Sequence, residues 1–75
     1  MKYKLNQHIF WLGKKCIIIG TKIEPYEPEF DIYNRVEIKP QKDYLLFILD
    51  KIVNNVCHYS GIVDVSENEI DDVIW

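Results

Sequence analysis

The chain has 75 residues, 48% of them apolar and 13% aromatic, and carries a net charge of −3. This is one domain, residues 1–75, too apolar to be disordered, and its acidic balance argues against binding dominated by phosphate contacts. The longest apolar run, Tyr44 to Leu49, is far short of a membrane span, so no membrane association is expected.

The chain begins at Met1 without a tag and is expected to be a complete small protein. Lys2 and Lys4 are followed only by the short apolar stretch His8 to Leu12, with no small-residue cleavage site, so no signal peptide is read. Cys16 and Cys57 are too sparse for the disulfide framework of a small secreted domain. The expectation is a cytoplasmic protein with free thiols, its cysteines serving as small buried hydrophobes.

Charge is placed unevenly. Five lysines (Lys2, Lys4, Lys14, Lys15, Lys22) precede the first acid, Glu24, and five acids (Asp64, Glu67, Glu69, Asp71, Asp72) follow the last base, Lys51. Side-by-side ends would neutralise each other and remove like-charge repulsion. Separate ends would make one basic and one acidic face.

In chain order, Lys2 to Gln7 alternates loosely and reads as an arm or short strand. His8 to Leu12 is aromatic-rich and bounded by a turn at Gly13-Lys14-Lys15. Cys16 to Ile23 contains three consecutive isoleucines, whose stiff χ1 favours a strand, and Gly20 within it predicts a bulge or bend. In Glu24 to Glu29, Pro25 and Pro28 remove donors and bar regular structure, leaving an acidic surface loop around Tyr26. Phe30 to Lys39 alternates with period two, with Phe30, Ile32, Val36 and Ile38 on one face, and predicts a half-buried strand.

Tyr44 to Val65 admits two conformations. On a helical wheel, Leu45, Ile48, Leu49, Ile52, Val53 and Val56 share a face, which predicts an amphipathic helix over 41–58 packed on a three- to four-stranded antiparallel sheet, an α+β fold. As a hairpin it would turn at Asn54-Asn55, where Asn tolerates positive φ, with Gly61 at a bend. The continuous apolar run Tyr44 to Leu49 then suits a strand buried on both faces. Ile62 to Val65 reads as strand, and Ser66 to Glu69 has the SxxE spacing of a capping box.

Taken together, the opening hairpin IFWLGKKCIIIG, the Pro-containing loop EPYEPEF leading into DIYNRVEI, and the closing GIVDVSENEI resemble a bacterial SH3-like small β-barrel. The likeness lies in strand order and turn placement over most of the chain. It implies a mainly β fold of about five strands, with a short helical turn near the C-terminus, so the hairpin is the expected form of Tyr44 to Val65. It also implies a binding module or interaction scaffold. Neither the ALYDY-type sequence nor the paired tryptophans of eukaryotic SH3 domains is present, so recognition of Pro-rich peptides is not implied.

No catalytic constellation is legible. The glycines Gly13, Gly20 and Gly61 are isolated, and neither a CxxC nor an HxxxH spacing occurs. Neighbouring Cys57 and His58 would point to opposite faces of a strand, which opposes joint metal ligation. No cofactor or metal and no enzymatic activity is expected. Trp11, Tyr26, Tyr33, Phe47 and Trp75 exceed what one thin core hides, and exposed aromatics are the usual anchors of interfaces. The leading expectation is a protein-interaction module, alone or as a homo-oligomer, that uses Trp11, Tyr26, Glu27, Glu29, Tyr33 and Trp75. One alternative is a nucleic-acid-binding barrel using Lys2, Lys4, Lys14, Lys15 and Lys22 with interleaved aromatics. Another is a phage-type inhibitor that presents the acidic tail Glu67, Glu69, Asp71 and Asp72 to a basic site.

Overall fold

A computed structural model of the chain describes residues 2–27, 37–71 and 75. Among these residues the fold is mainly β, with five antiparallel strands and one 3-10 turn. The strands are β1 (His8–Trp11), β2 (Lys14–Thr21), β3 (Tyr44–Val53), β4 (Val56–Val65) and β5 (Ile70–Asp71). Their order across the sheet is β4-β3-β2-β1-β5. The predicted hairpin over Tyr44 to Val65 is present, and the alternative helix over 41–58 is not. No helix among the described residues is long and apolar enough to cross a membrane.

Each tight hairpin turns on two residues with positive φ. Asn54 and Asn55 have φ of 51° and 63° between the paired Val53 and Val56. This matches the twist demanded of a two-residue loop, and Asn is suited to it. The first hairpin corrects the sequence-based turn. It turns at Leu12-Gly13, with φ of 51° and 73°, while Lys14 pairs with Trp11 and Lys15 with Phe10 inside the ladder. Gly13 meets the demand for positive φ without strain, and pairing of the flanking strands forces Leu12 into the same region despite its side chain.

Three bulges shape the sheet. One falls between Ile18 and Gly20 of β2, as Gly20 predicted. Two lie in the β3–β4 hairpin: β4 gains a residue between Phe47↔Ile62 and Leu49↔Tyr59, and β3 gains one before Lys51↔His58. They compensate, so the register at the turn equals that at the base.

One face of the sheet carries the core: Ile9, Cys16, Ile18, Leu46 and Val65, with Tyr44 and Tyr3 packed edge to face at 5.5 Å. Tyr3 comes from the N-terminal arm, which is not a strand. Asn6 donates its N–H to the Ile18 carbonyl and Ile18 donates to Gln7, stitching the arm beside β2. Ile70 of β5 closes the same core.

The oppositely charged ends do lie together. Glu67, in the 3-10 turn Glu67–Glu69, accepts a hydrogen bond from the Lys2 backbone N–H at 3.0 Å, and β5 pairs with β1. Glu69 accepts from the Ser66 N–H at 3.2 Å, the return arm of the predicted capping box. Lys22 lies 3.9 Å from Asp43 and Lys42 lies 3.4 Å from Glu69. The predicted strand over Phe30 to Lys39 lies largely outside the described residues. Within them, Ile38 bridges antiparallel to Tyr26.

Candidate functional site

The sheet is apolar on both faces, and only one of them is the core. Because strand side chains alternate, the partners Ile17 and Phe47 point away from Cys16, Ile18 and Leu46, as do Leu49, Tyr59 and Ile62. This explains why Tyr44 to Leu49 reads as an unbroken apolar run: each of its residues meets apolar neighbours on one side or the other.

The loop after β2 brings Pro25 and Tyr26 onto this second face. Thr21 begins the turn: its Oγ1 accepts the N–H groups of Ile23 and Glu24 at 3.2 and 2.9 Å. Gly20 lets the returning backbone approach closely, since a Cβ there would lie 3.1 Å from the Tyr26 nitrogen and 3.3 Å from Leu45 Cδ1. Tyr26 and Ile38 exchange backbone hydrogen bonds of 2.9 and 2.8 Å, which hold the loop in place.

Three rings follow in series. Tyr26 meets Phe47 edge to face at 5.6 Å, and Phe47 stacks on Tyr59 at 5.6 Å with planes 21° apart. With Ile17, Ile19 and Pro25 they line an open groove of about 460 Å3, with Glu27 at its margin. Each ring keeps part of its surface open to solvent. Apolar walls, a few polar groups at the margin and partly open aromatics form a surface suited to taking an extended or apolar partner segment.

The sequence-predicted partner residues divide between three places. Tyr26 and Glu27 are at the groove. Trp11 is half-buried against the core, with Lys14 Nζ 6.0 Å from its ring centre. Trp75 lies on the groove face but is engaged internally: it stacks on His8, and its indole N–H donates to the carbonyls of Ile9 and Cys16 at 2.9 Å each. Glu29 and Tyr33 lie outside the described residues. The sequence marks Phe47 only as a surplus aromatic and does not single out Tyr59. Its signal is the hairpin register, which sets it opposite Leu49 on the face of Phe47.

The five lysines do not converge. Lys14 and Lys15 open β2 and Lys22 follows its other end, so an eight-residue strand of roughly 25 Å separates them. Lys2 and Lys4 sit on the arm. The acidic tail is partly committed to the fold. Glu67 accepts from Tyr44 Oη at 2.8 Å as well as from Lys2, and these bonds, the Lys2 amide first, lower its pKa. The Ser66 amide lowers that of Glu69. Asp71 is exposed, and Asp72 is outside the described residues.

Cys16 is buried and Cys57 half-buried, both free thiols, and burial pushes the Cys16 thiol above its ordinary pKa. Among the described residues no group of three His, Cys, Asp or Glu side chains could hold a metal ion. No protein-family model, curated protein or solved structure matches this chain.

Proposed function

We propose that this protein is a non-catalytic interaction module of SH3-like barrel type that binds another protein through the groove of Tyr26, Phe47 and Tyr59. The order β4-β3-β2-β1-β5 and the 3-10 turn before the last strand support the barrel reading. The observation that carries the function is the second apolar face. Three consecutive, partly open rings on one sheet face line a groove with apolar walls, and such surface is what partner proteins anchor on. The free thiols of Cys16 and Cys57 suit a cytoplasmic setting.

The test is affinity capture from a native host with the wild-type chain and with Tyr26→Ala, whose ring lies on a loop rather than in the sheet. The expected outcome is a protein retained by the wild type and lost from the variant, with circular dichroism unchanged. Equal recovery by both, or recovery of nothing by either, overturns the reading.

A further inference from the structure

The groove has a charged end. Tyr26 bridges antiparallel to Ile38, and that register sets Glu27 opposite Glu37 on the two segments that leave the bridge. Both are exposed, and Glu27 lines the groove beside Tyr26. Like charges in facing positions repel, and a cation drawn to them removes that cost. The ion pairs Lys22–Asp43 and Lys42–Glu69 involve neither carboxylate. Among the described residues that line the groove, Glu27 is the single charged side chain, and no Lys or Arg is present.

The rest of the wall also suits a cation. Aromatic ring faces carry the negative side of a quadrupole and attract ammonium and guanidinium groups. Tyr26, Phe47 and Tyr59 offer such rings, each partly open, in series from the loop to β4. The first of them belongs to the residue next to Glu27, so ring and carboxylate share one end of the groove. Ile17, Ile19 and Pro25 supply apolar wall for the aliphatic stem of a cationic side chain.

We infer that the occupant of the groove is an extended segment of the partner protein that places an arginine at the Tyr26–Glu27 end. This rests on the protein-binding reading above and names the chemistry that the partner brings. Arginine fits better than lysine. Its planar guanidinium stacks on a ring, presents a fork of donors to a carboxylate, and sheds water more readily than an ammonium. A segment led by Asp or Glu would meet Glu27 and Glu37 with like charge, in a chain already at net charge −3. The same repulsion disfavours a phosphate backbone, although bases stack on rings of this kind.

Chemical-shift titration of the full chain tests this, with an acetylated, amidated Gly-Leu-Ser-Arg-Gly peptide as the probe. Its Leu and Arg, two apart, face the same side when the peptide is extended. The control peptide carries citrulline in place of Arg, equal in shape and without charge. The Arg peptide is expected to shift the ring signals of Tyr26, Phe47 and Tyr59 and to bind roughly fivefold tighter than the citrulline peptide. A Glu27→Gln, Glu37→Gln double variant should bring the two peptides level. An Asp50→Asn, Asp71→Asn variant makes an equal change of net charge at exposed sites outside the groove and should leave the difference intact. No binding of the Arg peptide, equal binding of both peptides by the wild type, an unaltered difference in the Glu variant, or equal loss in the Asp variant overturns the proposal. Tighter binding of a single-stranded oligothymidylate than of the Arg peptide also overturns it, in favour of a nucleic acid. The wild-type comparison of the two peptides decides the matter even if a variant fails to fold. The Tyr26→Ala capture result is read separately: a partner lost from that variant, with equal binding of the two peptides, keeps the groove and removes the arginine.

Discussion

The Trp75 indole stacks on the His8 imidazole, with ring centres 4.2 Å apart and planes 12° from parallel. The same indole N–H reaches the carbonyls of Ile9 and Cys16, and Lys15 Nζ lies 5.9 Å from the ring centre. Trp75 thereby ties its end of the chain to the first hairpin. Trp75→Phe keeps a ring for His8 and removes the donor. It is expected to destabilise the protein by about 1 kcal/mol, the net worth of a hydrogen bond of this kind. Chemical denaturation measures this, and an unchanged midpoint would show that water replaces the donor without loss.

Leu12 has positive φ and is 70% exposed, at a turn that glycine or asparagine would occupy without strain. Leu12→Asn creates the Asn-Gly pair preferred in two-residue hairpins. Stability should rise by about 1 kcal/mol, the lower end of the left-handed penalty for an ordinary side chain. For a domain of this size the melting temperature should rise by roughly 4–8 °C.

Gly20→Ala should act in the opposite direction. The new Cβ would press on the Tyr26 nitrogen, which is held by its hydrogen bond to the Ile38 carbonyl and has little freedom to retreat. A loss of about 1–3 kcal/mol is expected, as for other overpacked sites. Chemical-shift changes should reach Tyr26 and Phe47, because the displaced loop carries one wall of the groove. Full stability in the variant would show that the loop yields easily.

Acid should destabilise the fold through Glu67. Its pKa is lowered from the ordinary 4.5, by the Lys2 amide first and then by the Tyr44 hydroxyl. A depressed folded-state value means that the contribution is complete above 4.5 and is lost as pH falls through the lower folded value. Glu67→Gln should therefore flatten the stability profile below pH 4.5. Tyr44 works at the other end. Burial, the largest cause, raises its pKa above 10.0, so the stability held by the neutral phenol is present below pH 10 and declines as pH rises through the folded value. Denaturation midpoints across pH 2–11 would reveal both limbs, and identical acid limbs for wild type and Glu67→Gln would remove Glu67 as their source.

Much of the fold was legible because its signals are local. Stiff isoleucines at 17–19 favour a strand wherever they lie, Asn54-Asn55 accepts the positive φ of a tight hairpin, and SxxE at Ser66 to Glu69 closes a 3-10 turn through short-range bonds. The first turn lies at Leu12-Gly13 and not at Gly13-Lys14-Lys15, because Lys14 and Lys15 read as turn only until their pairing with Trp11 and Phe10 is known.

The sequence by itself determined the isoleucine strand of β2 with its bend at Gly20, the SxxE turn near the C-terminus, and a surplus of aromatics. The tertiary structure decided the form of Tyr44 to Val65. An apolar run satisfies a helix stripe and a doubly covered strand equally well until β2 is seen to pair with it. Tertiary structure also decided which aromatics meet. Trp75 was drawn inward by two carbonyls from a distant hairpin, and Tyr59 was carried to Phe47 by a register that two compensating bulges set. Those bulges answer to pairing across the strands, and one strand's sequence does not contain that information.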